Sequence, residues 1–191
     1  MEYKASYDRL VIIATTIVVL FLGVLFFIFL MVFPHGSSEI VVKTLVLTFI
    51  ILIPIVNFLF SPRGYIINEE EIRVTRIVKS RSIKFVDIID ISIPDEKLMK
   101  ESGRAGGTGG LFGHYGNYYN KNFGGDMKWY ATQLKKFVII KAKKTKSDYS
   151  SPNSKKIKVI VLTPDNNLEF FEDLKSKLKT LNTKPLTDLL K

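Results

Sequence analysis

The run Ile157-Lys158-Val159-Ile160-Val161-Leu162-Thr163-Pro164-Asp165 decides the fold, because two patterns with different periods meet in it. Ile157–Leu162 is almost continuously apolar, as a strand covered on both faces should be. Thr163 then reads as a helix N-cap with Pro164 at the first helical position. Beyond it Leu168, Phe171, Leu174, Leu178 and Leu181 recur at spacings of three and four, which predicts an amphipathic helix ending near Leu181. Glu169, Glu172 and Asp173 come early in that helix and Lys175, Lys177 and Lys179 late, the order that a helix dipole favours. A stripe of this kind plugs the open end of a β-barrel or lies against a sheet.

Upstream, short apolar runs separated by turn residues predict six more strands: 65–68, 71–77, 81–85, 88–93, 128–133 and 137–143. Several alternate as half-buried strands do, Ile72 and Val74 against Arg73 and Thr75 for example. The turn cluster Ser61-Pro62-Arg63-Gly64 marks where this domain begins.

Before that cluster the pattern is continuous. Leu10 to Phe33 is 24 uncharged, mostly apolar residues, a helix of about 36 Å that crosses a hydrocarbon core of about 30 Å with some tilt. Thr44 to Phe60 is a second such run of 17, extended by Val41, Val42 and a snorkelling Lys43, with Pro54 inside it. The first run is too long for the apolar core of a signal peptide, has no small-residue cleavage site and is followed at once by another span. The short connection through His35-Gly36-Ser37 makes the two helices an antiparallel hairpin with both chain ends on one side. The loop end carries Lys43, and the other end carries Lys4, Arg9, Arg63, Arg73 and Arg76. By the positive-inside bias, both termini face the cytoplasm and the protein resides in the inner or cytoplasmic membrane.

This division explains the composition. The 191 residues are 47% hydrophobic yet carry a formal charge of +10. Residues 1–60 are neutral, so the whole excess belongs to residues 61–191. The expected organisation is an N-terminal cytoplasmic segment (1–9), transmembrane helices at 10–33 and 44–60 joined by an external loop (34–43), one domain at 61–182, and a tail at 183–191. With no cysteine and two histidines, His35 and His114, thiol chemistry and Cys- or His-rich metal sites lack their parts. No metal and no cofactor are expected.

Residues 104–139, RAGGTGGLFGHYGNYYNKNFGGDMKWYATQLKKFVI, resemble the Gly-rich signature of a family of bacterial pleckstrin-homology-like (PH-like) domains. Val161–Leu178, VLTPDNNLEFFEDLKSKL, is similar to that family's strand-to-helix junction, where a Ser/Thr-Pro step opens the last helix and a Phe anchors it. The resemblance covers roughly residues 64–181. It implies a membrane-anchored α+β chain: two transmembrane helices, then a seven-stranded PH-like barrel or sandwich closed by a C-terminal helix. It transfers no catalytic residue and no lipid motif.

Two groups of residues are candidates for contact. Nine of the twelve glycines lie in 103–125, read as a loop. Its glycines fit neither Gly-x-x-x-x-Gly-Lys-Ser/Thr nor Gly-x-Gly-x-x-Gly, which argues against nucleotide binding. Its aromatics, Phe112, Tyr115, Tyr118, Tyr119 and Phe123, either fold back onto the barrel, the favoured reading, or meet a partner or the membrane interface. The basic candidates are Arg73, Arg76, Lys79, Arg81 and Lys84 on early strands, and Lys141, Lys143 and Lys144 on a later one. Charge runs are usually solvated, but a tethered domain gains about 1 kcal/mol for each Lys or Arg that reaches an anionic leaflet. Nucleic acid rests on these charges alone and ranks last among partners.

The expectation is a non-catalytic binding or scaffold protein, integral to the bilayer, whose domain meets a protein partner, itself or anionic headgroups. The alternative is a component of a membrane enzyme or transport assembly with a small-molecule site near the Gly-rich segment, marked by His114, a tyrosine and a carboxylate converging in a pocket.

Overall fold

A computed structural model describes residues 1–32, 37–143 and 157–183. A short strand β1 (Glu2–Lys4) leads into α1 (Arg9–Val32), and α2 (Ser37–Phe60) returns to the domain. There follow β2 (Gly64–Ile67), β3 (Glu71–Thr75), β4 (Arg81–Lys84), β5 (Ile88–Ser92), the helical turn α3 (Glu96–Lys100), β6 (Gly103–Gly110), β7 (Gly113–Asn120), β8 (Gly125–Ala131), β9 (Val138–Lys143), β10 (Ile157–Leu162) and α4 (Asn167–Thr183). Lys144 lies outside the described residues.

Both α1 and α2 are long and apolar enough to cross a membrane. Their apolar side chains point outward all round: Leu10, Ile13, Leu20, Phe21, Phe27 and Met31 are each more than half exposed. A core helix of a soluble protein would bury one face, and these bury almost none. The second helix starts at Ser37, well before Thr44, and Lys43 lies inside it with Nζ 3.2 Å from the Leu30 carbonyl.

The strands form two sheets, β1-β2-β3-β4 and β5-β9-β10-β8-β7-β6. Neighbours are antiparallel except β8 and β10, which are parallel. The sheets stay open, which corrects the closed barrel: β1 and β4 edge one sheet, β5 and β6 the other, and among the described residues no strand pairs across them. The first core lies between the sheets, with Tyr65, Ile72, Val74, Ile83, Val138, Ile140, Ile160 and Leu162 sealed by Phe170 and Leu174 of α4. A second core covers the outer face of the longer sheet, where Met99 of α3 packs with Trp129, Phe137, Ile139, Val159 and Val161. Successive residues of β9 and β10 therefore serve opposite cores, which is why Ile157–Leu162 reads as continuously apolar.

The closing helix begins later than the sequence suggests. Thr163 is buried, and its Oγ1 accepts the Thr132 N–H at 3.0 Å while its own N–H is bonded by Tyr65 Oη, so it is a sheet-end bridge and not an N-cap. With the helix starting at Asn167, Phe170 takes the place of Leu168 in the stripe: Phe170 and Leu174 are buried, Phe171 and Leu178 pack against the same core, and Leu168 points to solvent. Tyr65 is sealed, its hydroxyl donating to the Tyr130 carbonyl, and burial pushes its pKa up to about 12.

Residues 1–9 are part of the domain. β1 pairs with β2, Tyr3 opposite Tyr65, and the Met1 amino group donates to the Ile67 carbonyl at 2.9 Å. Tyr3 is buried edge-on to Phe170, ring centroids 5.0 Å apart, with its hydroxyl on Asp173. Tyr3→Ala is expected to cost about 3 kcal/mol by leaving a cavity against Phe170, and Glu2→Ala, exposed, less than about 0.5 kcal/mol. Urea denaturation of the detergent-solubilised chain checks both; equal losses would exclude a core role for β1.

Candidate functional site

The chain crosses between helices and domain twice, and a third contact lies where β6 meets β7. Asp8 caps α1: Oδ1 accepts the Val11 N–H at 2.8 Å, and Oδ2 lies 3.3 Å from the Leu134 N–H. One carboxylate thus ties the helix start to the six-stranded sheet. At the other crossing Ser61 and Pro62 are buried, and the Val78 N–H donates to the Leu59 carbonyl at 3.1 Å, seating the β3–β4 turn against the end of α2.

The segment read as a Gly-rich loop is largely a β-hairpin. Gly107 stands opposite Gly116, and the two backbones approach so closely that a Cβ on Gly107 would sit 2.2 Å from the Tyr115 carbonyl oxygen and one on Gly116 2.3 Å from that of Gly106. Their φ values of +105° and +128° lie where only glycine is comfortable.

The hairpin tip, Leu111-Phe112, enters the fork between the helices. Phe112 has φ +53°, a conformation that costs a non-glycine residue about 1–3 kcal/mol, and three helix-end groups hold it. Thr15 Oγ1 accepts the Phe112 N–H at 3.0 Å and donates to the Gly110 carbonyl at 3.1 Å. Ser61 Oγ donates to the Phe112 carbonyl at 2.6 Å, and the Tyr7 hydroxyl lies 2.7 Å from the same Oγ. The Phe112 ring meets Phe58 edge-on at 5.3 Å, and the Arg63 guanidinium lies 4.3 Å over the other partner of that pair, Phe58. Tyr115 donates to the carbonyl of Asn57 and sits 3.1 Å from its Oδ1; burial pushes the phenol pKa up.

The candidate aromatics therefore divide. Phe112 and Tyr115 touch the helix ends. Tyr118 is buried, stacked on Trp129 at 4.3 Å with its hydroxyl on the Thr108 carbonyl, and burial raises its pKa to about 12 while Arg104 pulls the other way. Phe123 packs on the second core, and Tyr119 is exposed at the far end of the hairpin. The folded-back and the helix-contacting arrangements both occur, at different residues.

The basic candidates divide in the same way. Arg76, Lys79 and Arg81 belong to the β3–β4 turn or its edge, beside the end of α2 and Arg63. Arg76 is partly buried over the Tyr130 ring at 5.2 Å, and burial lowers its pKa. Arg73 is ion-paired with Glu71 at 2.8 Å and Lys141 with Asp90 at 3.0 Å. Lys84 pairs in register with Glu71, and Lys143 with Ile157, at the ends of their sheets away from the helices. The carboxylates Glu69, Glu70 and Glu71 share that far end. The sequence showed which residues are basic; it did not show which end of each strand meets the helices, because the docking of β1 was missed.

His114 follows the tip and lies half-buried on β7. Burial lowers its pKa below the ordinary 6.5, Asp8 acts to raise it, and Arg104 lowers it further. Among the described residues no cluster of three or more His, Asp or Glu is arranged to hold a metal.

Two outcomes are expected. Thr15→Val leaves the Phe112 N–H and Gly110 carbonyl without their partner, costing about 1–3 kcal/mol, and hydrogen exchange at Phe112 should accelerate while that of β9 is unchanged. For His114, the unfolded chain takes up a proton below 6.5 before the folded one does, so stability should fall as pH drops through 6.5 toward the folded pKa. His114→Gln should flatten that decline in denaturation midpoints between pH 7 and 5; an unaltered slope would exclude His114 as its source.

No curated protein and no solved structure matches the chain. A family model described as Bacterial PH domain matches residues 63–178, from the start of β2 well into α4. That match covers more than half of the sequence and the whole course of strands from β2 to β10, and the chain belongs to the bacterial PH domain family.

Proposed function

We propose that the chain is a membrane-anchored, non-catalytic binding protein, a scaffold whose PH domain is held in a set orientation on the cytoplasmic leaflet. The observation that carries this reading is the three-point seating of the domain on the helix ends, at Asp8, Ser61 and Phe112. A domain on one flexible linker presents all its faces in turn; a domain seated at three points presents one set. The turn that carries Arg76, Lys79 and Arg81, with Arg63 next to it, then lies at headgroup level, where each cation that reaches an anionic leaflet contributes about 1 kcal/mol. The positive-inside bias of the same residues supports a cytoplasmic domain. The outer surface is left to a protein partner or to a second copy.

A membrane enzyme or transport component is the second reading. His114 and Tyr118 do line one cavity, which favours it, but no carboxylate lines that cavity with them.

The chain has no cysteine, so Ser80→Cys in the exposed β3–β4 turn offers a single labelling site. In nanodiscs, a spin label there should contact headgroups more closely with phosphatidylglycerol than with phosphatidylcholine. The difference should shrink in high salt and in the Lys79→Glu/Arg81→Glu variant. Label contact that ignores lipid charge and salt would overturn the electrostatic seating.

A further inference from the structure

On the outer face of the six-stranded sheet, beside the tip of the glycine hairpin, lies a cavity of about 300 Å³. Its aromatic wall is Trp129 with Tyr118 stacked on it. Arg104, Lys100 and His114 complete the polar lining, each from a different element: β6, α3 and β7. Three features set it apart from an ordinary surface dimple.

The lining is rich in donors and poor in acceptors. Arg104 and Lys100 have no ion pair among the described residues, and no carboxylate lines the cavity. The oxygens that are present are engaged: the Tyr118 hydroxyl donates to the Thr108 carbonyl, and Ser102 Oγ donates to the Met99 carbonyl and accepts from Asn120. Second, the Trp129 indole N–H is buried without an acceptor among the described residues, and Trp129 itself is only 1% exposed. A sealed N–H of that kind is uncommon, and leaving it unpaired costs about 1–3 kcal/mol. Third, the Arg104 side chain lies along its own strand, with Nη1 3.1 Å from where a Gly109 Cβ would be. A side chain at Gly109 would press on that guanidinium where the two line the cavity together.

We propose that this cavity binds a small organic anion, its carboxylate or phosphate oxygens held by Arg104 and Lys100 and its apolar part beside Leu134, at the edge of the Trp129–Tyr118 stack. A planar guanidinium fork matches either oxyanion. The volume stands at the lower end of small-molecule sites, of roughly 300–1,000 Å³, which limits the ligand to a compact one. Because His114 and Gly109 flank the turn that rests on α1, the anion has two sources: a soluble metabolite, or the headgroup of an anionic lipid. This assignment does not rest on the seating of the β3–β4 turn.

Trp129 is the only tryptophan in the chain, so its fluorescence reports on the cavity directly. The full chain in phosphatidylcholine nanodiscs is titrated with phenyl phosphate and with benzoate, and compared with nanodiscs containing phosphatidylglycerol and no soluble anion. A saturable change of Trp129 emission with either soluble anion supports the site and a soluble ligand. A change only with phosphatidylglycerol supports the site and a lipid headgroup. Arg104→Gln, at an exposed position, should leave the melting temperature unchanged and weaken the response about tenfold. Lys79→Glu/Arg81→Glu should retain it, which separates this site from the headgroup contacts of the turn. No change of emission in any arm, or an Arg104→Gln response equal to that of the unaltered chain, would overturn the proposal.

Discussion

The pairing of β1 with β2 is the constraint on which the rest of the structure depends. Glu2–Lys4 lies antiparallel to Gly64–Ile67, so residues that flank the helical pair on either side are neighbours in one sheet. The helices are therefore an excursion out of a sheet that closes behind them. Closing a loop of about sixty residues carries an entropic cost that grows only slowly with length, and two rigid helices reduce it further by limiting what the loop can do. The return is positional: the start of α1 and the end of α2 must emerge side by side at one end of the domain, with Asp8 and Ser61 buttressing them.

That arrangement makes a fork, and the glycine hairpin fills it. Thr15 and Asn57 are polar residues set inside otherwise apolar helices, a costly choice unless their groups are used. Both are engaged by the hairpin: Thr15 Oγ1 accepts the Phe112 N–H, and Asn57 Oδ1 lies 3.1 Å from the Tyr115 hydroxyl. The left-handed backbone at Phe112 follows from the same geometry, because the tip must present its N–H to one helix and its carbonyl to the other across a two-residue turn. Strain at the tip, polarity inside the helices and glycine in the strands are three aspects of one joint.

Much of the fold was legible in the residues, and the failures have physical causes. The strands from Tyr65 to Phe85 and from Phe137 to Leu162 alternate or run apolar because they border the cores, and the helical pair reads from its length. β6 and β7 do not read as strands, since five of the eight residues of β6 are glycine and the His, Tyr and Asn side chains of β7 show no apolar alternation; the backbone ladder and a close Gly107–Gly116 approach hold the pair instead. β1 is too short to show a period, and only its partner sixty residues later makes it a strand. Phe171, Leu174 and Leu178 read correctly as core-facing, but the helix start does not, because Thr163-Pro164 looks like one while Thr163 is occupied in joining the end of β8 to Tyr65. Of the site, the residue types were legible and their grouping was not, since grouping needs to know which strand ends face the helices.

Once those ends are known, the charge of the domain acquires a direction. β2 leaves the helices and reaches Glu69 and Glu70; β3 returns from Glu71 to Arg76 and Lys79; β4 departs again from Arg81. Strands of four or five residues span about 13–17 Å, more than a Debye length of about 8 Å at physiological ionic strength. The two ends of the small sheet are thus electrostatically separate: Arg63, Arg76, Lys79 and Arg81 gather beside the helices, while Glu69, Glu70 and Glu71 share the far end with Lys84 and the Met1 amino group. A net charge of +10 spread evenly would hold a domain near an anionic surface in any orientation. A charge sorted along the strands makes the two ends unequal, with the greater positive charge beside the helices. Arg73 and Lys141, within their strands, add little to either end, since Glu71 and Asp90 match them locally. The covalent joint and the concentration of cations therefore fall at the same end of the domain, where α1 leaves it and α2 returns.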